Sequence, residues 1–447
     1  MGERSVQIRR HPILLIGVAV LVLSGAVGSG YGIYRSRSAN QSPPPLVARP
    51  VASPTDMQIT QLQQRLRSVP DDTKAKVDLA DGYLQKARET GDPTYYGKAE
   101  PLLMQALASE PENFNAMTSL GSLALSRHQF LDALKWGQRA HALNPAQARI
   151  YGVIGDAQIE LGQYPEAVAT FQTMVDTRPD LSSYARVSYA RELYGDLDGA
   201  IDAMQKAIVA GGPYTENTVY LRAQLANIMF NRGDLTGAEQ MNAAALRLLP
   251  RYAPSLAGLA KVDAARGNYL NAIGRYQQAV DQMPLPEYVI ALGDVQEAAG
   301  KPAEAARSFA LARVQERLFT ANGVDVDVEL SLFDADHNFD PPATLALAKA
   351  ARERRPSIKG ADALAWAYAQ SGDYQAAQPV IQDALHLGTQ DPLMLFHAGM
   401  IAYHRGDLSA ARTYLERVMA LNPQFSVRYA ALAKQTLAAV QAGGTKG

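Results

Sequence analysis

The stretch ARIYGVIGDAQIELGQYPEAVATFQTMVDTRP, residues 148–179, decides the fold. Its apolar residues recur at helical spacing on both sides of Gly162, and Pro179 closes it. Glycine accepts the left-handed backbone angle that ends a helix, and proline cannot continue one. The stretch therefore reads as helix, glycine turn, helix, proline stop. Outward from Ala167, alanine returns at Ala99, Ala133, Ala200, Ala238, Ala272, Ala305, Ala343, Ala377 and Ala411. The gaps from Ala99 onward are 34, 34, 33, 38, 34, 33, 38, 34 and 34 residues. A period near 34 is the mark of stacked helical hairpins.

Other positions keep the same phase, which chance alanines would not. Twelve residues before each alanine from Ala133 onward sits a small residue: Gly121, Gly155, Ser188, Ala226, Ala260, Gly293, Ser331, Ala365 or Gly399. An apolar residue precedes each, as in Leu120, Ile154, Leu225 and Leu292. Five residues before the alanine stands Gly162, Gly195, Gly233, Gly267, Gly300, Gly372 or Gly406, with His128 and Asn338 in the two remaining slots. Pro111, Pro145, Pro179, Pro250, Pro284 and Pro423 end their units. The physical reason is close packing: two helices approach only where facing side chains are small, and larger apolar neighbours fill the grooves beside them.

In these positions the chain resembles the tetratricopeptide repeat family, whose pattern runs Leu-Gly, a glycine turn, Ala with a large residue four later, then Ala and Pro. Leu120-Gly121, Ala133, Ala140 and Pro145 match it, as do Ile154-Gly155, Gly162, Tyr164, Ala167, Phe171 and Pro179, and Leu292-Gly293, Gly300, Ala305 and Phe309. The family's early tryptophan is absent, and its tyrosine three residues after the small position survives clearly only at Tyr368. The resemblance implies an all-α, right-handed superhelical solenoid of about ten hairpins between residues 57 and 423, the first a looser unit turning at Gly91-Asp92-Pro93. Residues 424–447 are expected to supply a capping helix, from Phe425 to Val440, and a tail. The first 38-residue gap lengthens a turn around Gly211-Gly212-Pro213, and the second predicts an extended helix from Val314 to Gly323.

A second signal lies at the start. Behind a short basic segment, residues 1–12, the chain runs from Ile13 to Tyr34 without a charge. As a helix these 22 residues would span about 33 Å, enough to cross a bilayer. Arg4, Arg9, Arg10 and His11 precede the run, and Arg35 and Arg37 follow it, a slight bias that places the amino terminus in the cytoplasm and the repeats outside it. A cleaved signal peptide is the alternative, with Ile13 to Leu23 as its apolar run and Ala26 and Gly28 near the cleavage point, but the uncharged stretch continues too far. Gly28 and Gly32 have the spacing that lets two membrane helices touch, as a homodimer would require. Residues 35–56, rich in proline and serine, read as an extended spacer between membrane and repeats.

Lys and Arg number 43 and Asp and Glu 44, a net charge of -1 that shows no bias toward nucleic acid. There is no cysteine, which excludes disulfides, thiolate metal sites and a lipidated cysteine anchor. His397 and His404 share a helix face but stand two turns apart, too far to share an ion without a bend. Asp334-Ala-Asp336-His-Asn338-Phe-Asp340 resembles the opening of a calcium loop, yet Phe339 and Leu345 stand where that loop needs glycine and glutamate. No nucleophile triad, phosphate loop or leftover block of domain size points to catalysis, and no cofactor is expected.

In the tetratricopeptide family the inner wall is lined from the first helix of each unit, at positions six and three before, and one and four after, the small residue. Carried onto this chain, the last two units place Lys359, Asp362, Trp366 and Ala369 beside Leu393, Phe396, Met400 and Tyr403. Tyr189, Tyr220, Asn227 and Phe230 add an aromatic and polar stretch, and Glu287, Asp294 and Glu297 an acidic step. The bland reading of Trp366 and Tyr403 is packing against the neighbouring repeat. The functional reading is a groove for an extended or helical protein segment. Together these features describe a membrane-anchored scaffold of bacterial inner-membrane type serving envelope assembly, secretion or protein maturation. A self-associating structural subunit and an accessory module of an enzyme complex are the alternatives.

Overall fold

The computed structural model describes residues 53–212 and 216–443, and every regular element in them is helical. Twenty helices pair into ten hairpins. Units 1 to 5 are α2 (Thr73–Thr90) with α3 (Thr94–Ser109), α4 (Phe114–Ser126) with α5 (Phe130–Leu143), α6 (Ala148–Glu160) with α7 (Tyr164–Thr177), α8 (Leu181–Leu193) with α9 (Leu197–Ala210), and α10 (Glu216–Asn231) with α11 (Leu235–Leu248). Units 6 to 10 are α12 (Ala253–Ala265) with α13 (Tyr269–Gln282), α14 (Pro286–Ala298) with α15 (Pro302–Ala321), α16 (Asp327–Asp336) with α17 (Pro341–Arg354), α18 (Ile358–Gln370) with α19 (Tyr374–Leu385), and α20 (Pro392–His404) with α21 (Leu408–Leu421). Two further helices, α1 (Pro54–Ser68) and α22 (Ala430–Gln441), cover the ends.

The turn inside most units follows one local rule. The glycine five residues before the repeated alanine takes φ between 70° and 88° in seven units. In four of them the next residue is Asp196, Asp234, Asp373 or Asp407, whose carboxylate accepts the backbone N–H three residues on and caps the second helix. His128 and Asn338 adopt the same left-handed angle, at φ 57° and 53°. The repeated alanine is fully or almost fully buried from Ala99 to Ala411, with one exception, and from Ala133 onward each of the buried ones stands fourth in its helix. Ala343 is exposed, and Thr344, 2% exposed, holds its slot. The turn of unit 8 has one extra residue, Asp340 at φ 39°, so the packing phase shifts by one.

The long second gap is a 20-residue α15, as the spacing predicts. The amino-terminal end differs from its reading as a spacer. Ser53 and Asp56 form a reciprocal capping box with Pro54 in the first turn, and α1 packs Ile59 over Gly82. At the other end the helix starts at Ala430 rather than Phe425. Among the described residues no helix is long and apolar enough to cross a membrane. The predicted span 13–34, with Gly28 and Gly32, lies outside the described residues, as do segment 1–12 and residues 35–52 of the spacer.

The hairpins curve until the coil meets itself. In units 2 to 5 the turn within the unit rests on the connection that follows the unit five further along. Arg127 accepts the Asp325 N–H through its carbonyl at 2.9 Å, and His128 Nδ1 donates to the Asp325 carbonyl at 2.6 Å. Tyr164 Oη accepts the Ile358 N–H at 2.6 Å, and Gly162 faces the Pro356 carbonyl. Gly195 faces Gly388, and Gly233 faces Leu421, beside which Asn422 Nδ2 donates to the Phe230 carbonyl at 2.7 Å. Arg355 reaches across the same seam to Glu160 at 2.6 Å while its other side holds Glu329 at 2.6 Å. A cation between two carboxylates and a row of satisfied backbone groups close one turn on the next.

Candidate partner-binding interior

Closing the coil turns the concave face into an interior wall, and residues far apart in sequence meet there. Lys359 Nζ of unit 9 stands 5.2 Å from the centre of the Tyr189 ring of unit 4. Lys261 Nζ lies 4.2 Å from the Phe230 ring, which is buried at 3% exposure. Tyr189 and Tyr220 are partly buried, and Asn227 and Glu287 are exposed on their helices. Burial pushes the Glu192 carboxyl up to about 7 against the pull of Lys359, with Asp391 adding to the rise. This half of the wall is a mixed aromatic and charged surface on which Asn227 and Glu287 are exposed while Phe230 packs in the core.

The other half is occupied by the chain itself. Phe396 is fully buried, and Asp362, Trp366 and Met400 are 4%, 5% and 6% exposed, with Tyr403 partly buried. Over Trp366 and Phe396 lies the non-helical segment between α21 and α22. The Tyr429 ring stacks on Phe396 at 4.7 Å and meets Trp366 edge-on at 5.8 Å, and Phe425 lies 5.6 Å from Phe396. Tyr429 Oη donates to Asp336 Oδ1 at 2.8 Å, and the same oxygen accepts Trp366 Nε1–H at 2.9 Å. Arg428 Nη2 reaches Asp294 at 2.9 Å and Glu297 at 2.7 Å. The expected aromatic end therefore receives aromatics, and the expected acidic step receives an arginine.

The histidines and acidic residues singled out in the sequence are engaged separately. His397 is fully buried, donates from Nδ1 to Asp362 at 2.9 Å and stacks on Trp366 at 4.2 Å. Burial opposes its charging, but Asp362, with Asp336 and Asp391, outweighs it and holds the imidazole above its ordinary value. His404 stacks on Tyr374 instead, at 4.6 Å. Asp334 pairs with Arg313, Asp336 with Trp366 and Tyr429, and Asp340 caps α17. Asp294, Glu297 and His337 bring ligand-type atoms within 4.8 Å of one another, and Arg428 supplies the positive charge between the two carboxylates.

Sequence reasoning missed Phe425, Arg428 and Tyr429. No periodic signal marks them: the structure starts a helix at Ala148 soon after Pro145, whereas after Pro423 the next helix waits until Ala430.

A family model described as tetratricopeptide repeat matches residues 95–148 and 363–424, and a second of the same description matches residues 124–188. These stretches are tetratricopeptide repeats. The human Superkiller complex protein 3 is 36% identical over 116 residues, 24% of this chain, and the chain spans only 7% of that relative's length. Among solved structures, a thermophilic tetratricopeptide repeat protein of Thermus thermophilus superposes with a TM-score of 0.36 at 21% identity, covering 40% of this chain and 92% of that one. The human IFIT1 dimer with m7Gppp-AAAA gives 0.48 at 14% identity, covering 74% of this chain and 76% of that one. The matched residues hold the second helix of unit 1, all of units 2 and 3, most of unit 9 and all of unit 10, so both the seam and the occupied wall include matched hairpins.

Proposed function

We propose that this protein is a tetratricopeptide scaffold that binds segments of partner proteins on its interior wall and performs no catalysis itself. The observation that carries the reading is the wall of units 7 to 10, which already holds a non-helical peptide segment through stacked rings and paired charges. Aromatic anchors flanked by charge are what an interface needs for both affinity and register. Tyr189, Tyr220 and Asn227 continue the same wall, the two tyrosines partly buried and Asn227 exposed.

The uncharged run 13–34 supports an anchor in a bacterial inner membrane, with the repeats outside the cytoplasm and Gly28 and Gly32 offering a homodimer contact. Envelope assembly, secretion or protein maturation is the setting that such an architecture suits. The test is affinity capture of the full chain from its host membranes beside an Asn227→Arg, Glu287→Arg variant, two exposed positions whose change leaves the core alone. A partner captured by the native chain and lost by the folded variant is the expected result. The same partners with both chains would contradict the reading, and recovery of only further copies of the chain would make it a self-associating subunit.

A further inference from the structure

The segment from Asn422 to Tyr429 does more than end the solenoid. Covering the last hairpin is the work of α22, whose Val440 packs with Ala402 and Ala411. The residues before it instead cross the interior and touch the first helices of four successive units: Asp294 and Glu297 on α14, Asp336 on α16, Trp366 on α18 and Phe396 on α20. A cap needs none of those contacts beyond the last unit.

The contacts also differ in how firmly they hold. Phe425 and Tyr429 are buried at 6% and 7% exposure. The Arg428, Asp294 and Glu297 side chains keep 22%, 20% and 43% exposure, so this charged end is partly reached by water and is held less firmly than the two rings. A segment anchored by two buried rings and steered by one partly buried cation is built like a bound peptide.

We infer that Phe425–Tyr429 is an internal ligand, and that the wall of units 7 to 10 is a docking site for a partner segment presenting an aromatic residue, an arginine three positions later and an aromatic immediately after it. This rests on the reading that the interior binds partner proteins. The tethered segment competes at high effective concentration, and the partner's apparent affinity falls by the fraction of time the site is open.

The test uses the full chain with Phe425→Ser, Arg428→Ser and Tyr429→Ser, which removes all three side chains that occupy the site and leaves the residues of α22 unchanged, and a labelled peptide of residues 422–431. The peptide is expected to bind the variant about tenfold or more tighter than it binds the native chain. Adding Asp294→Asn and Glu297→Gln, or replacing the peptide's arginine by alanine, is expected to abolish that gain. Binding to a folded variant no tighter than to the native chain would overturn the inference. Should the variant lose its helical circular dichroism, hydrogen exchange on the native chain decides: amides of 425–429 are expected to exchange well before those of α20 and α21, and equal protection would overturn the inference. Peptide binding to the emptied variant, with no partner captured by the native chain, would leave the docking site standing and remove the partner reading. Partner loss with no peptide binding would overturn the docking site alone.

Discussion

Arg355 shows what a single residue does for this coil. Its side chain is 10% exposed and lies between Glu160, 14% exposed, and Glu329, 51% exposed, so removing it leaves two carboxylates without their cation. Arg355→Met should lower the unfolding free energy by about 3 kcal/mol in urea titrations, and a loss under about 1 kcal/mol would mean that the bridge is not formed. Crowding by the seam partly desolvates Glu329 and opposes its ionisation, but Arg355 and His128 outweigh this and hold the carboxyl at about 2, below its ordinary 4.5. A depressed carboxyl stabilises the fold above the ordinary value and loses that contribution as pH falls toward the lowered one. Thermal melts should therefore drop more steeply for the native chain than for Glu329→Gln between pH 4.5 and about 2, and parallel curves would contradict the assignment. At this scale the sequence is legible wherever the period is strict. It misleads at Ala343 because one inserted turn residue moves Thr344 into the buried slot, a shift that small and apolar patterning does not register.

At the scale of the element, the glycine turns separate two roles that the sequence makes look alike. Gly195 and Gly267 have φ of 77° and 79°, so alanine is strained at either, by roughly 1–2 kcal/mol. A Cβ at Gly267 would enter open space, whereas at Gly195 it would collide with the Gly388 carbonyl across the seam. Gly195→Ala should therefore destabilise by a further ~1–3 kcal/mol relative to Gly267→Ala, measured by chemical denaturation, and equal losses would remove the seam at that point. Hairpins, their order and the long α15 follow from glycine, proline and alanine spacing. The helix α1 does not, because the prolines before it read as spacer, although Ser53, Pro54 and Asp56 carry a capping signal. The delay of α22 has no periodic signature, since Phe425 to Tyr429 is set by what the segment touches four units back.

The whole molecule is governed by small rotations that add up from hairpin to hairpin, and no local pattern encodes their sum. Closure depends on pairs such as His128 with Asp325 and Glu160 with Arg355, 197 and 195 residues apart, which leave no trace in a 34-residue period. Part of the interior wall is legible in composition: Asp294, Glu297, Trp366 and Phe396, expected there from the resemblance, meet the chain's own Arg428 and Tyr429, whereas Phe230 packs in the core. That the wall is enclosed, and half filled by the chain's own Phe425, Arg428 and Tyr429, emerges only from the assembled coil. The central claim, that the repeats form a coil closed along its seam around a binding interior, can be tested by placing the only two thiols of this cysteine-free chain at Gln129→Cys and Asn322→Cys. Gln129 Nε2 lies 3.1 Å from the Gly323 carbonyl, so a short bifunctional maleimide in dilute solution should join the two thiols within one chain in high yield. Thiols that take up the reagent singly and never cross-link would show an open solenoid and contradict the account.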